Sequence, residues 1–207
     1  KRYDLKKKKI FIVPFNPIKK NYNKKNIFKI KYFFYPANFW QHKNHEVIIK
    51  ATKLLINKNF KNFKCIFTGS DKGYLNEIIK LINYNNINKF FENKKFVNDK
   101  ELVSLYANSK AVIMTSHFGP TNLPPLEAFT YKKPLIYNKK FSKEISNKNC
   151  LMINVNNKFD LSNAMLKVLK NNYSKKMKSN AENFLKLKKI QNASSIKSLE
   201  NFLEAKH

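Results

Sequence analysis

Glycine occurs three times in 207 residues, at Gly69, Gly73 and Gly119. In a chain this poor in glycine each placement is informative, because glycine permits positive φ and a close approach to the backbone. Arginine occurs once, as Arg2, among 42 basic residues. Base-edge and bidentate phosphate recognition usually recruits arginine, so the formal net charge of +29 argues less for nucleic acid than its size implies. Lysine, asparagine, isoleucine and phenylalanine dominate together, as the codon bias of an AT-rich genome would produce, and a solvated lysine surface is the plain reading of the charge. Cysteine occurs twice, and Cys65 and Cys150 each lie in an apolar run. They read as buried thiols in a reducing compartment, not as a disulfide or a metal pair. No apolar run approaches the roughly 18 to 20 residues that span a bilayer. The chain opens on Lys1, and a basic stretch leads straight into the apolar run Ile10 to Phe15. An upstream part is therefore expected.

What the chain does contain is alternation. Short apolar runs predict strands at Ile10 to Pro14, Lys31 to Tyr35, Phe63 to Thr68, Phe90 to Val97, Ala111 to Thr115, Pro134 to Tyr137 and Cys150 to Val155. Between them lie stretches of helical period. Val47, Ile48, Ala51, Leu54 and Leu55 share one face of a helix beginning near His45, and Leu75, Ile78, Ile79 and Ile82 share another. Asn98 to Glu101 has capping-box spacing ahead of Leu102, Leu105 and Tyr106. Asp160 is read as the cap of a helix bearing Leu161, Ala164, Met165 and Val168, and one or two long basic helices follow Tyr173. Asn16 to Lys31 has no apolar period and reads as a connection. The expected fold class is α/β, a doubly wound, mostly parallel Rossmann-like sheet.

The chain is organised around Ser116 to Tyr131, SHFGPTNLPPLEAFTY, where an apolar strand gives way to a helix across a glycine-proline turn. Asn122 is a candidate cap, Pro124 and Pro125 are tolerated only in a first turn, and Leu126 to Tyr131 continues the helix. A strand, a turn and a helix start in this order offer N–H groups and a positive dipole end to an anion at the carboxyl edge of the sheet. Gly69 and Gly119 both follow predicted strands, where a ligand-binding turn and an ordinary tight turn are both open readings. Between Pro36 and His45 stand Asn38, Trp40, Gln41, His42, Lys43 and Asn44, a dense set of donors beyond a strand end. Lys43 is the residue aimed at a phosphate, while Trp40 is expected to pack at the surface. His42 and His45, three apart with no third ligand nearby, make a weak metal pattern. Glu127 is read either as a helix-start cap at the third helical position or as a carboxylate that accepts from two hydroxyls of a ligand.

These residues resemble the retaining, nucleotide-sugar-dependent glycosyltransferases of the GT-B fold, of the large family-4 (group 1) type. SHFGPTNLPPLEA is similar to that family's signature of two glutamates eight positions apart around a G-F-G-L-P turn. Glu127 matches the second glutamate, which the resemblance implies binds the donor ribose, and Gly119 occupies the place of the first. FGPTNLPPLEA and YPANFWQHKNHEVIIKA resemble a variant branch involved in bacterial surface-saccharide synthesis, while FTGSDKGY resembles the family's strand and glycine turn beside the donor and KKFVNDKELVSLYANS its segment along the base. By that resemblance Lys43 neutralises the donor diphosphate, and Asn38 stands where the typical member has arginine. Gly69 lies beside the donor, and Phe96 and Val97 lie along the base. With His42, Pro120, Thr121, Asn122 and Leu123 these complete the implied donor site, in which Lys43 and Glu127 carry the catalytic roles.

The similarity runs from about Ile10 to Leu169 and implies the C-terminal, donor-binding half of a two-half enzyme. Residues 1–31 would be an interdomain strand and linker, 32–172 the nucleotide-sugar-binding domain, and 173–207 the basic helices. The implied partners are a nucleotide diphosphate sugar, a saccharide or lipid-linked acceptor, and an N-terminal acceptor half. No cofactor or metal is required. The expected place is the cytoplasm, with peripheral contact at the inner membrane face through the basic helices as a further expectation. The rival reading is a basic nucleic-acid-binding module without enzymatic activity.

Overall fold

A computed structural model describes Pro17 and residues 30–119, 123–146, 148–173 and 175–204. The strand expected at Ile10 to Pro14 and nearly all of the connection after it lie outside the described residues, as do Pro120, Thr121 and Asn122.

Six strands form one parallel sheet: β1 (Tyr32–Pro36), β2 (Lys64–Thr68), β3 (Phe91–Asn93), β4 (Ala111–Met114), β5 (Leu135–Asn138) and β6 (Leu151–Ile153), in the order β3-β2-β1-β4-β5-β6. The register pairs Phe34 with Ile66 on one side and Val112 on the other, and Ile113 with Ile136. Tyr32 to Tyr35, Ala111 to Met114 and Leu135 to Asn138 are buried at every position. Continuous apolar runs are what a parallel sheet covered on both faces demands.

The covering helices fall into two packed sets. α1 (His45–Asn57) lies against α2 (Leu75–Tyr84) and α5 (Lys158–Leu169), while α4 (Leu123–Thr130) lies against α3 (Asp99–Asn108) and α6 (Lys175–Glu204). The strand order runs one way from β1 to β3 and the other way from β4 to β6. Right-handed crossovers therefore put α1 and α2 on one face and α3 and α4 on the other. The reversal falls between β1 and β4, where such sheets open a crevice beyond their carboxyl ends.

Several local expectations are corrected. β3 lies within the stretch 90–97 expected to carry a strand, but it is only three residues long and is preceded by a 3₁₀ turn at Asn88–Phe90. Ile79 is exposed, and the buried stripe of α2 is Ile78 and Ile82. Asn157, not Asp160, caps α5: its Oδ1 accepts from the N–H groups of Phe159 and Asp160, while Asp160 Oδ2 accepts from Asn154 N. One helix of 30 residues follows Tyr173. Asn98 caps α3 through Glu101 N, and both cysteines are buried free thiols, as expected.

Candidate functional site

Two loops leave the sheet on either side of the switch point, one after β1 and one after β4, and they are bonded into one unit. The first contains a 3₁₀ turn, Gln41–Lys43, closed by Asn44 in the left-handed region at φ 54°. Asparagine tolerates that conformation better than other side chains, and the Asn44 amide donates to Val155 O at 2.9 Å. The Lys43 carbonyl accepts from the Tyr35 phenol at 2.5 Å and from Thr115 Oγ1 at 3.0 Å; Thr115 Oγ1 also reaches Asn44 O at 3.1 Å. His117 N donates to His42 O at 2.9 Å, and the Asn138 amide donates to Ser116 O at 2.9 Å. These bonds satisfy backbone groups both at the end of β4 and in the turn beside it. The backbone that carries Lys43 is thereby held against Thr115 to His117.

Lys43 is half-buried, and burial pushes its ammonium below the usual lysine range. A cation partly stripped of water gains more from an anion than a solvated one does. No carboxylate among the described residues lies within 4 Å of it. His42 stacks on Phe118 with ring centroids 4.2 Å apart, and Trp40, 44 % exposed, tilts over His42. Burial, then the charges of Lys43 and His117, hold the His42 imidazole below its usual range. His45 is elsewhere: it is fully buried, stacked on Phe39 and flanked by Tyr35 and Phe67. The two histidines do not face a common point. No group of three metal-binding side chains is found among the described residues.

Gly69 is explained by the backbone. Its φ is +135°, and a Cβ there would lie 2.6 Å from Ala37 O and 2.7 Å from Asn38 N. The loops after β1 and β2 pair closely past the strand ends, with Ala37 N on Thr68 O and Phe39 N on Ser70 O, both at 3.0 Å. Only glycine fits where those loops touch. Asn38, placed where the resemblance had arginine, is exposed and spends its side-chain oxygen on Ser70 N at 2.8 Å. Gly69 N donates to Lys95 O, which brings the loop bearing Phe96 and Val97 alongside. Phe96 is 86 % exposed and Val97 rests on the core.

Beyond β4, Gly119 is half-buried and α4 starts at Leu123, the residue after the candidate cap Asn122. Pro124 and Pro125 therefore occupy its first turn, so of its first four residues only Leu123 and Leu126 carry an N–H. The helix start offers its dipole with fewer donors than expected. Glu127 is the fifth helical residue, not the third, and does not cap. Its Oε2 accepts from the Tyr106 phenol at 2.5 Å. Burial raises the Glu127 carboxyl, opposed by that bond. Tyr35, Tyr106, Thr115 and Ser116 were not singled out by sequence reasoning, because apolar spacing reads a buried tyrosine as core and is blind to where its hydroxyl points.

Residues 17–184 match the family described as glycosyl transferases group 1. No curated protein matches the sequence. Among solved structures, a glycosyltransferase from Rickettsia africae aligns at 20 % identity and TM-score 0.68, covering 86 % of this chain and 47 % of that one. A sucrose-phosphate synthase from Thermosynechococcus elongatus aligns at 16 % and 0.73 over 86 % and 47 %. The Anabaena protein HepE in complex with UDP and glucose aligns at 16 % and 0.71 over 82 % and 48 %. The chain thus shares their fold and spans about half their length.

Proposed function

The chain belongs to the group 1 glycosyl transferases, and from that premise we propose that it is the half that binds a nucleotide diphosphate sugar for transfer to a saccharide or lipid-linked acceptor. The observation that carries this is the clamp at the switch point: the turn bearing Lys43 is bonded to the end of β4 through Thr115 and His117, and α4 with Glu127 follows. A partly desolvated lysine on a turn held by these bonds, at the same sheet edge as a helix start, is suited to a diphosphate. Catalysis in this reading is leaving-group stabilisation: Lys43 and the α4 dipole oppose the charge that develops on the departing diphosphate, and no metal is needed. Glu127 accepts from the ribose hydroxyls. HepE, one of the solved relatives, holds UDP and glucose, which supports a uridine nucleotide as the first ligand to try.

The acceptor is held by a second Rossmann-like half outside this sequence. The work takes place in the cytoplasm, with peripheral contact at the inner membrane face when the acceptor is lipid-linked. No helix among the described residues is long and apolar enough to cross a membrane. A nucleic-acid-binding module has no support in the family or the fold.

Calorimetric titration of the folded chain with UDP and GDP at moderate salt tests the reading. One of them is expected to saturate a single site, and Lys43→Ala to weaken it about ten- to a hundredfold, the loss of one charge-assisted contact. No heat with any nucleoside diphosphate would sink the proposal. Unchanged affinity in Lys43→Ala would reduce that residue to surface charge.

A further inference from the structure

Four buried tyrosines point their phenols at different kinds of partner. Tyr32 donates to the backbone carbonyl of Leu105 at 2.9 Å and Tyr35 to that of Lys43, Tyr137 reaches the exposed carboxylate of Glu144 only at 3.5 Å, and Tyr106 donates to the half-buried carboxylate of Glu127, at Oε2, at 2.5 Å. A buried hydroxyl needs an acceptor, and a backbone carbonyl meets that need without desolvating a charge. A half-buried carboxylate meets it at a cost in solvation. The need of Tyr106 for a partner therefore does not explain why that partner is Glu127. Accepting ligand hydroxyls through the same carboxylate does.

The geometry is well fixed on the phenol side. Tyr106 is 1 % exposed, Phe34 meets its ring edge-on at 4.9 Å and Tyr131 stacks at 6.0 Å. Burial, then the Glu127 charge, holds the phenol far above its ordinary range, so it stays protonated and donates. Glu127 Oε1 accepts no hydrogen bond from any described residue. An ionised carboxylate has about four acceptor positions, and Tyr106 takes one.

We infer that Tyr106 is a positioning residue for the donor site, its phenol holding Oε2 of Glu127 so that the remaining acceptor positions are presented to two neighbouring hydroxyls of the bound nucleotide. This rests on the reading of Glu127 as the ribose-binding carboxylate. Tyr106 does not touch the ligand; it removes the rotation of Glu127 that binding would otherwise have to freeze.

The test compares Tyr106→Phe and Glu127→Gln with wild type by two readouts: calorimetry with UDP, GDP and their 2′,3′-dideoxy forms, and the ¹³C titration of the Glu127 carboxyl. Tyr106→Phe keeps both ring contacts. It is expected to raise the titration midpoint of Glu127, because a donor to the charged form is gone. It should also weaken the ordinary nucleotide about three- to thirtyfold at neutral pH, more steeply as pH falls, while leaving the dideoxy form unchanged. If Glu127→Gln weakens binding but Tyr106→Phe moves neither midpoint nor affinity, the role of Tyr106 is overturned and the ribose reading stands. If Glu127→Gln binds like wild type, the ribose reading falls and takes the Tyr106 inference with it. Should Tyr106→Phe not fold, 3-fluorotyrosine at position 106 replaces it. That more acidic phenol should lower the Glu127 midpoint and tighten binding, and no shift overturns the inference.

Discussion

His45 opens α1 from inside the core, and among the described residues neither of its ring nitrogens makes a well-formed hydrogen bond, although the Ala37 backbone is near enough to oppose part of the effect of burial. Phe39, Tyr35 and Phe67 surround it with faces and edges that suit a flat ring but offer the nitrogens no acceptor or donor. Burial pushes the imidazole down to about 3. The unfolded chain takes up this proton near the ordinary 6.5 and the folded chain only near 3. The neutral ring thus contributes stability that is fully present above about pH 6.5 and is lost as pH falls toward 3, with a slope of up to about 1.4 kcal/mol per pH unit. His45→Phe, which keeps a flat ring and removes both ring nitrogens, should melt at or above the wild-type temperature at pH 7.5. Its advantage should widen at pH 5. Parallel losses in both proteins between those pH values would show that His45 is not the titrating group.

At the scale of the element, α5 shows how a start signal misleads by a few residues. Asp160 and Asn157 are both good caps by type, and the apolar period begins at Leu161, which favours the aspartate. The fold instead starts the helix at Lys158, where Asn157 bonds two N–H groups and Asp160 turns back to Asn154 N. Asn157→Ala should lower stability by about 1 kcal/mol, read as a shift of the urea midpoint without a change in slope. Asp160→Ala should cost less. The reverse ranking would restore Asp160 as the cap. α4 behaves differently: Pro124 and Pro125 mark a first turn from sequence alone, and the helix starts at Leu123, so both prolines lie in its first turn.

For the whole molecule, the span of about half of each solved relative sets what one chain can do. On the proposed reading, a donor site that lacks its acceptor half would bind a nucleotide without protecting the reacting sugar from water. The purified 207 residues are expected to bind a nucleoside diphosphate and to transfer no sugar, with slow hydrolysis of the nucleotide sugar at most. Radiolabelled donor incubated with and without saccharide acceptors measures this. Acceptor-dependent turnover would show that the chain holds a complete active site.

The sequence alone determined the alternation of strand and helix, the α/β class and the edge of the sheet that carries the candidate site. Each of these is written in a local quantity: an apolar run, a period, a proline that stops a strand or starts a helix. It also singled out Lys43 and Glu127 by their neighbours in the chain. Only the tertiary structure decided how those two are held. The bond from Thr115 to Lys43 O spans 72 residues and that from Tyr106 to Glu127 spans 21, and Gly69 owes its identity to a carbonyl 32 positions away in the chain. Such contacts exist because parallel strands bring distant loops to one edge. No pattern within a window of sequence encodes which hydroxyl will meet which acceptor there.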